Sequence, residues 1–457
     1  MTRHLRLPTP ATLGAALLAV AVVALAGPGA LAPAAGRSGV EKEHRTIVFN
    51  GEANRLNAYD PVTGAKQRVI ASHADDPEHG LDINAQICFD PDGSRRFIAG
   101  EDTGQPTPPA GWGYFKLHGE KIGELSAQKV GKMTPTYQAH NQLQQSQPEN
   151  YGCGFLPDRR LFLTDIGDQY PGNAGNGQLM IWFPPFDRTD APYCKIDVGI
   201  ATAGGIWIDS QQRVYVASAR DAVGGDPAGV WRYRGTWPTS GDAGGGCGRK
   251  DVTGAPLVDN GRITKERFIA APDPGGVTTP YAIAPSGHDT LYVSSVFDGV
   301  ISEYDLNGTR IRNVVQPPAG VPVGQAADSG TPLGLGVDSQ GTLYYADLGI
   351  VTVQPGPGAG SVQRVRFEDG QPLAPEVIDE NLDFPDGIGI LEFDVPRVLG
   401  DTVSGGAGGA AAPAGGGGGR VLPATGETGR VTLALALLAG TAVLVATRRR
   451  VLARRTS

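Results

Sequence analysis

Short apolar runs broken by polar turns recur along the middle of this chain, and their order repeats. Each unit opens with an apolar strand, turns through Asp, Ser, Pro or Gly, and returns as a second apolar strand ending in a small or acidic residue. The pattern stands at residues 89–101 (FDPDGSRRFIAGE), 155–165 (FLPDRRLFLTD), 208–218 (IDSQQRVYVAS), 283–295 (IAPSGHDTLYVSS) and 337–347 (VDSQGTLYYAD). β-Branched and aromatic residues flanking turn formers predict a hairpin at each place. A further strand follows, as in GQLMIWFPP, GVWRYRG, GVISEYDLNG and GSVQRVRFEDG, and then a fourth, weaker one. Four strands in a unit of about 53 residues is the spacing of a propeller blade.

The two ends of this region complete one another. Residues 384–390 (FPDGIGI) copy the opening of the last full unit at 331–337 (TPLGLGV), yet no hairpin partner follows. Conversely, residues 45–72 offer three strands with no innermost strand before them. The C-terminal strand is therefore expected to complete the N-terminal blade, which joins the ring and removes an exposed edge. Five complete blades and one composite blade predict an all-β, six-bladed β-propeller over residues 45–394. A β-sandwich array is the alternative, and the matching half-blades count against it. The pattern resembles the six-bladed propellers of the NHL-repeat and senescence-marker protein/gluconolactonase superfamily. The residues that carry the resemblance are PxGxGVDxxGxLYYAD in the sixth blade and PDGIGI in the closing strand.

Both termini read as export and attachment signals. Residues 1–26 combine Arg3 and Arg6 with an uncharged apolar run and a small-residue Ala24-Leu25-Ala26 site, the make-up of a helical secretory signal peptide. A linker is expected over residues 27–44. At the other end, Leu422-Pro423-Ala424-Thr425-Gly426 precedes an apolar run at 431–447 and an arginine-rich tail. The run gives about 25 Å of helix against a hydrocarbon layer of roughly 30 Å, and flanking arginines can snorkel to cover the difference. Cytoplasmic retention of the basic tail would hold this transmembrane helix in place before processing. The whole arrangement, residues 422–457, resembles the LPXTG sorting signal of Gram-positive wall proteins. That resemblance implies a sortase cutting between Thr425 and Gly426 and joining Thr425 to a peptidoglycan precursor. Residues 395–421 are mostly Gly and Ala, a flexible linker composition. An uncleaved N-terminal anchor or a plain C-terminal membrane anchor would leave the propeller equally outside.

Composition adjusts this picture in two ways. The 67 glycines and 36 prolines fall largely in turns between strands and in the C-terminal linker, as many short strands require. The net charge of −8 includes five arginines of the terminal tail, so the propeller itself is more acidic. An acidic domain with no basic stripe argues against a nucleic-acid partner.

Cys88, Cys153, Cys194 and Cys247 are an even set in an exported chain, so disulfides are permitted and three pairings are possible. Placement favours Cys88 with Cys153, in the inner strands of neighbouring blades, and Cys194 with Cys247. Ligand sites are expected at the channel mouth where inner strands begin. Two long connections, one containing residues 106–112 and 131–150 and the other the blade-four insertion 237–262, are candidates to contribute to it. In gluconolactonase-like propellers a PDG at the closing strand supplies a metal-binding aspartate, which Asp386 matches. Asn84, Glu149 and Asn150 are placed to complete an oxygen cage for Ca2+ or another divalent cation, and His140 or Glu149 to act as base. FLPDRRLFLTDIGDQ also resembles a segment of six-bladed soluble quinoprotein sugar dehydrogenases, and His140 is the nearest candidate for their catalytic histidine. There is no HExxH and no GxSxG. Glu101, Asp165, Ser218, Ser295 and Asp347 recur at one blade position, as turn chemistry does. The function expected first is a wall-anchored surface binding module with an unidentified extracellular ligand. A metal-dependent lactonase-like hydrolase and a quinoprotein-like sugar oxidoreductase are the alternatives.

Overall fold

A computed structural model describes residues 42–52, 55–72, 86–101, 111–134, 150–167, 177–222, 225–251, 253–317, 330–351, 354–355 and 358–396. The expected signal peptide and sorting signal lie outside these residues, as does the expected C-terminal linker from 397 onward, whereas residues 395–396 belong to the closing strand. Six antiparallel sheets of four principal strands are arranged as the blades of a propeller. Their inner strands are Ile388–Pro396, Cys88–Phe89, Asn150–Phe155, Ala203–Ile208, Pro280–Pro285 and Pro332–Val337, for blades one to six. They touch in cyclic order, each against the next, and the sixth returns to the first.

The closing strand pairs with Lys42–Glu52 in an unbroken antiparallel register of nine residue pairs, from Lys42 opposite Pro396 to Asn50 opposite Ile388. The composite blade is thus real, and it begins three residues earlier than the hydrophobic pattern alone suggests. Glycine at alternate positions of these inner strands has a steric cause. A Cβ on Gly336 would lie 2.7 Å from Ile388 Cγ2, and one on Gly389 would lie 2.7 Å from Ile87 Cγ2. Small residues here let neighbouring blades close on one another.

Burial explains why the blade strands read as apolar runs rather than as alternation. Both faces of each blade pack against neighbours, so successive side chains feed different interfaces. In blade three, Phe162 packs toward blade four and Leu163 toward blade two. Six apolar clusters fill the six interfaces. A seventh lies where the inner strands begin. The inner hairpins turn on aspartates that accept backbone amides. Asp338 takes the amides of Gln340 and Thr342, and the Tyr344 hydroxyl donates to it at 2.9 Å. Asp209 does the same for Gln211 and Arg213.

The cysteines form Cys88–Cys153 and Cys194–Cys247. The blade-four insertion does not reach the channel mouth, contrary to expectation. Its strands Arg249–Lys250 and Pro256–Leu257 extend blade three to six strands, with Leu257 parallel to Lys195 of the outer strand Tyr193–Ile200. An outer strand otherwise exposes a row of unpaired backbone groups. Here the insertion covers part of that row, and the Cys194–Cys247 bridge holds it down.

Candidate functional site

The pairing register aligns the blades and defines a ring of positions at the end of the channel where inner strands begin. Asn150 opposes Asp165, Ala203 opposes Ser218, Pro280 opposes Ser295 and Pro332 opposes Asp347. The next residue inward in those blades is Tyr151, Gly204, Tyr281 or Leu333. Asp386 holds the position in blade one, where its amide donates to Gly51 at 2.9 Å, and the blade-two position, residue 85, lies outside the described residues.

This ring is shut. Tyr151 and Tyr281 meet edge to face with centroids 4.4 Å apart, reaching over blade four, where Gly204 leaves room. They pack with Leu333 and with Ile166, Ala219, Val296 and Leu348, which follow the second strands. Tyr151 is 2% exposed and Asp386 3%. Burial, reinforced by the nearby charge of Asp386, pushes the Tyr151 hydroxyl far above its ordinary pKa. Gln86 braces the same end. Its amide donates to the Ile206 carbonyl at 3.1 Å and accepts from the Cys153 and Ile206 amides at 3.2 and 3.1 Å.

The acidic residues around this ring are spent on the backbone. Asp347 accepts from the Thr331 amide and hydroxyl at 2.9 and 3.0 Å, and from the Gly349 amide. Asp298 binds the Thr278 amide and hydroxyl. Asp165 accepts the Gly167 amide, and Glu52 pairs with Arg55. These bonds cap the first residues of inner strands and the turns after second strands.

Of the residues expected to build a cation site, Asp386 sits at the ring and Asn150 begins the inner strand of blade three. Asn84, His140 and Glu149 lie outside the described residues, as does Asp168. Among the described residues no group of three or more His, Cys, Asp or Glu gathers around Asp386, whereas a calcium ion takes six to eight oxygens. No step of a reaction is therefore routed through a metal here. The tyrosine plug escaped the sequence reading because its members differ in type. Counting two residues back from Cys153, Ile206, Ile283, Leu335 and Ile388 would have found five of its positions.

The channel behaves differently along its length. Side chains are buried where inner strands begin and become half-buried or exposed where they end, as from Tyr281 to the exposed Pro285. The space between is about 280 Å³ and is lined by all six inner strands.

No protein-family model matches the chain, and no curated relative matches it. Solved structures similar to it include a Bacteroides caccae protein of unknown function, with TM-score 0.42 and 10% identity over 76% of this chain and 99% of that one. Another is virginiamycin B lyase from Staphylococcus aureus, at 0.39 and 11%, covering 76% and 92%. A third is a gluconolactonase from Xanthomonas campestris, at 0.37 and 13%, covering 64% and 75%. At such scores the likeness carries no argument. The propeller assignment rests on the strand pairing.

Proposed function

We propose that this chain is a surface binding module, exported and joined through Thr425 to the wall of a Gram-positive bacterium. Attachment is supported by the order of three sequence features: the pentapeptide from Leu422 to Gly426, the apolar run 431–447 and the basic tail. Binding rather than catalysis is supported by one observation above the others. Tyr151 and Tyr281 close the end of the channel where reactive groups would have to meet a substrate, and Asp386 is engaged with Tyr151. The full chain expressed in a sortase-bearing host should be recovered in the wall fraction and released by muralytic digestion. Thr425→Ala should move it to the membrane and the medium. Wall recovery unaffected by that change would refute the attachment.

The lactonase-like reading keeps one specific point in its favour, a buried carboxylate at the channel mouth. Calcium titration of the full chain decides it. A melting transition raised by calcium in wild type and not in Asp386→Asn, together with calcium-dependent lactone hydrolysis, would replace the binding reading.

A further inference from the structure

The pairing phase of the inner strands decides what the channel wall is made of. In an antiparallel pair, residues bonded to the partner strand alternate with residues whose amide and carbonyl point away from it. The hairpin bonds fix that phase. The amides of Leu156, Asp209, Ser286 and Asp338 donate to the carbonyls of Arg160, Arg213, Thr290 and Thr342. Three residues earlier in each strand, Cys153, Ile206, Ile283 and Leu335 therefore turn both backbone groups into the channel. In blade one the Gly387 carbonyl takes the Gly51 amide, which gives Ile388 the same orientation. Pro285 stands at such a position two residues further on, toward the end face where the strands finish. A proline is tolerated there because no ladder bond is asked of it.

Half of this level is filled from within the chain. The Gln86 carboxamide reaches it from blade two. Its Oε1 accepts the amides of Cys153 and Ile206 at 3.2 and 3.1 Å, and its Nε2 donates to the Ile206 carbonyl at 3.1 Å. A planar, uncharged group with an acceptor and a donor on one carbon thus fits between blades three and four. The opposite half, formed by Ile283, Leu335 and Ile388 of blades five, six and one, presents the same backbone groups to the 280 Å³ space. Among the described residues no side chain hydrogen-bonds to them.

We propose that this half binds a small neutral molecule carrying a primary carboxamide or urea-type group, held as Gln86 is held. The ligand oxygen bridges the amides of two neighbouring blades, and its NH2 donates to a carbonyl beside them. Charge balance selects this class. Each residue offers one donor and one acceptor, so an anion drawn to the amides meets as many carbonyls, and a cation meets as many amides. The lining holds no charged side chain to compensate either. An apolar guest would leave the backbone groups unpaired. Water satisfies them at the entropy cost of fixing each molecule, and one rigid ligand replaces several. The site goes beyond the surface-module reading and does not rest on it.

Hydrogen exchange of the full chain with and without propionamide tests it, read at single amides by fragmentation mass spectrometry. At about ten times its half-saturating concentration, propionamide should slow exchange at Ile283, Leu335 and Ile388 about tenfold. Gly336 and Gly389, whose amides face the next strand of their own blade, should not change, which separates binding from general stabilisation. Propionate, of the same shape but charged, and butanone, which lacks the donor, should protect none of the three. Gln86→Ala vacates the occupied half, so propionamide should then protect Cys153 and Ile206 as well. No protection at the three amides, equal protection by propionate, or protection spread evenly to Gly336 and Gly389 would overturn the proposal. So would protection confined to Cys153 and Ile206 in Gln86→Ala, which would make the preference a property of that half alone. If Gln86→Ala does not fold, the wild-type comparison decides. Wall attachment plays no part in this readout, so its failure would leave the sorting proposal standing.

Discussion

The insertion that caps blade three depends on a buried ion pair whose two halves are not equivalent. Lys195 Nζ donates to Asp251 Oδ2 at 2.6 Å, and the two side chains are 1% and 10% exposed. Asp251 has other donors, the Thr253 hydroxyl at 2.6 Å and the amides of Thr253 and Ala255. Burial opposes its ionisation, but the bonds from Lys195 and Thr253 outweigh that and hold its pKa down to about 2. Burial also lowers the Lys195 pKa, against the pull of Asp251. Removing the carboxylate takes from a buried ammonium its partner at 2.6 Å and leaves it the weaker pull of Asp165, whereas removing the ammonium leaves a carboxylate that is still solvated by protein. Asp251→Ala is expected to cost about 3–5 kcal/mol. Lys195→Met keeps the aliphatic stem and should cost about 1–2 kcal/mol.

Hydrogen exchange resolves where that cost appears. The Val258 amide donates to the Lys195 carbonyl at 3.0 Å and reports docking of the insertion. In Asp251→Ala it should exchange by local opening, while the blade-one pairing between Ile47 and Leu391 keeps its protection. The Cys194–Cys247 bridge keeps the insertion tethered throughout. The pH sign follows from a depressed pKa. The contribution of Asp251 is complete above its unfolded value near 4 and is lost as pH falls toward about 2, on the order of 2 kcal/mol. Equal costs for the two variants, or loss of protection at Val258 and Leu391 together, would refute the asymmetry.

Three further outcomes follow from the seams between blades. Asp379 of blade six accepts from Lys66 Nζ at 2.8 Å, Arg68 Nη2 at 2.7 Å and the Tyr59 hydroxyl at 3.2 Å, all of blade one. Asp379→Ala should cost about 2–3 kcal/mol in urea unfolding, chiefly from the buried Tyr59 hydroxyl, since both cations can turn to solvent. His44 hydrogen-bonds Asp394 and Glu392, which raises its pKa. Its contribution is therefore present below the unfolded value near 6.5 and lost as pH rises through the folded one. His44→Gln should lower the melting transition more at about pH 5 than at about pH 8, by a few tenths of a kcal/mol given its exposure. Gly336→Ala would press a methyl against Ile388 and should cost about 1–3 kcal/mol, measured by thermal unfolding.

The propeller was legible because each blade buries both of its faces. That turns strands into apolar runs at regular spacing, and the half-copy FPDGIGI at one end announced the closure with Lys42–Glu52. The course of the insertion was not legible. Its strands are two residues each and pair with Tyr193–Ile200, far earlier in the chain, so no local pattern points there. Asp386 was found by its PDG context, but context could not show that its neighbour is the Tyr151 hydroxyl from across the ring.

A strand that closes a ring also fixes where the chain leaves it. Ile388–Pro396 begins at the plugged end of the channel and finishes on the end face, so the tail toward Thr425 departs beside the open end of the channel. If the tail is joined to the wall as proposed, the exit point biases the plugged face away from the cell and the open end of the channel toward the tether, as far as the flexible linker allows. Two exposed sites measure this. Gln316 follows the outer strand of blade five on the plugged face, and Gln211 lies in the inner hairpin turn of blade four on the end face. On intact cells, a bulky maleimide should label Gln316→Cys faster than Gln211→Cys, and the difference should vanish after release of the chain from the wall. Equal rates on cells would mean that the exit point of the closing strand does not orient the ring. The open end of the channel would then sample the exterior as freely as the plugged face.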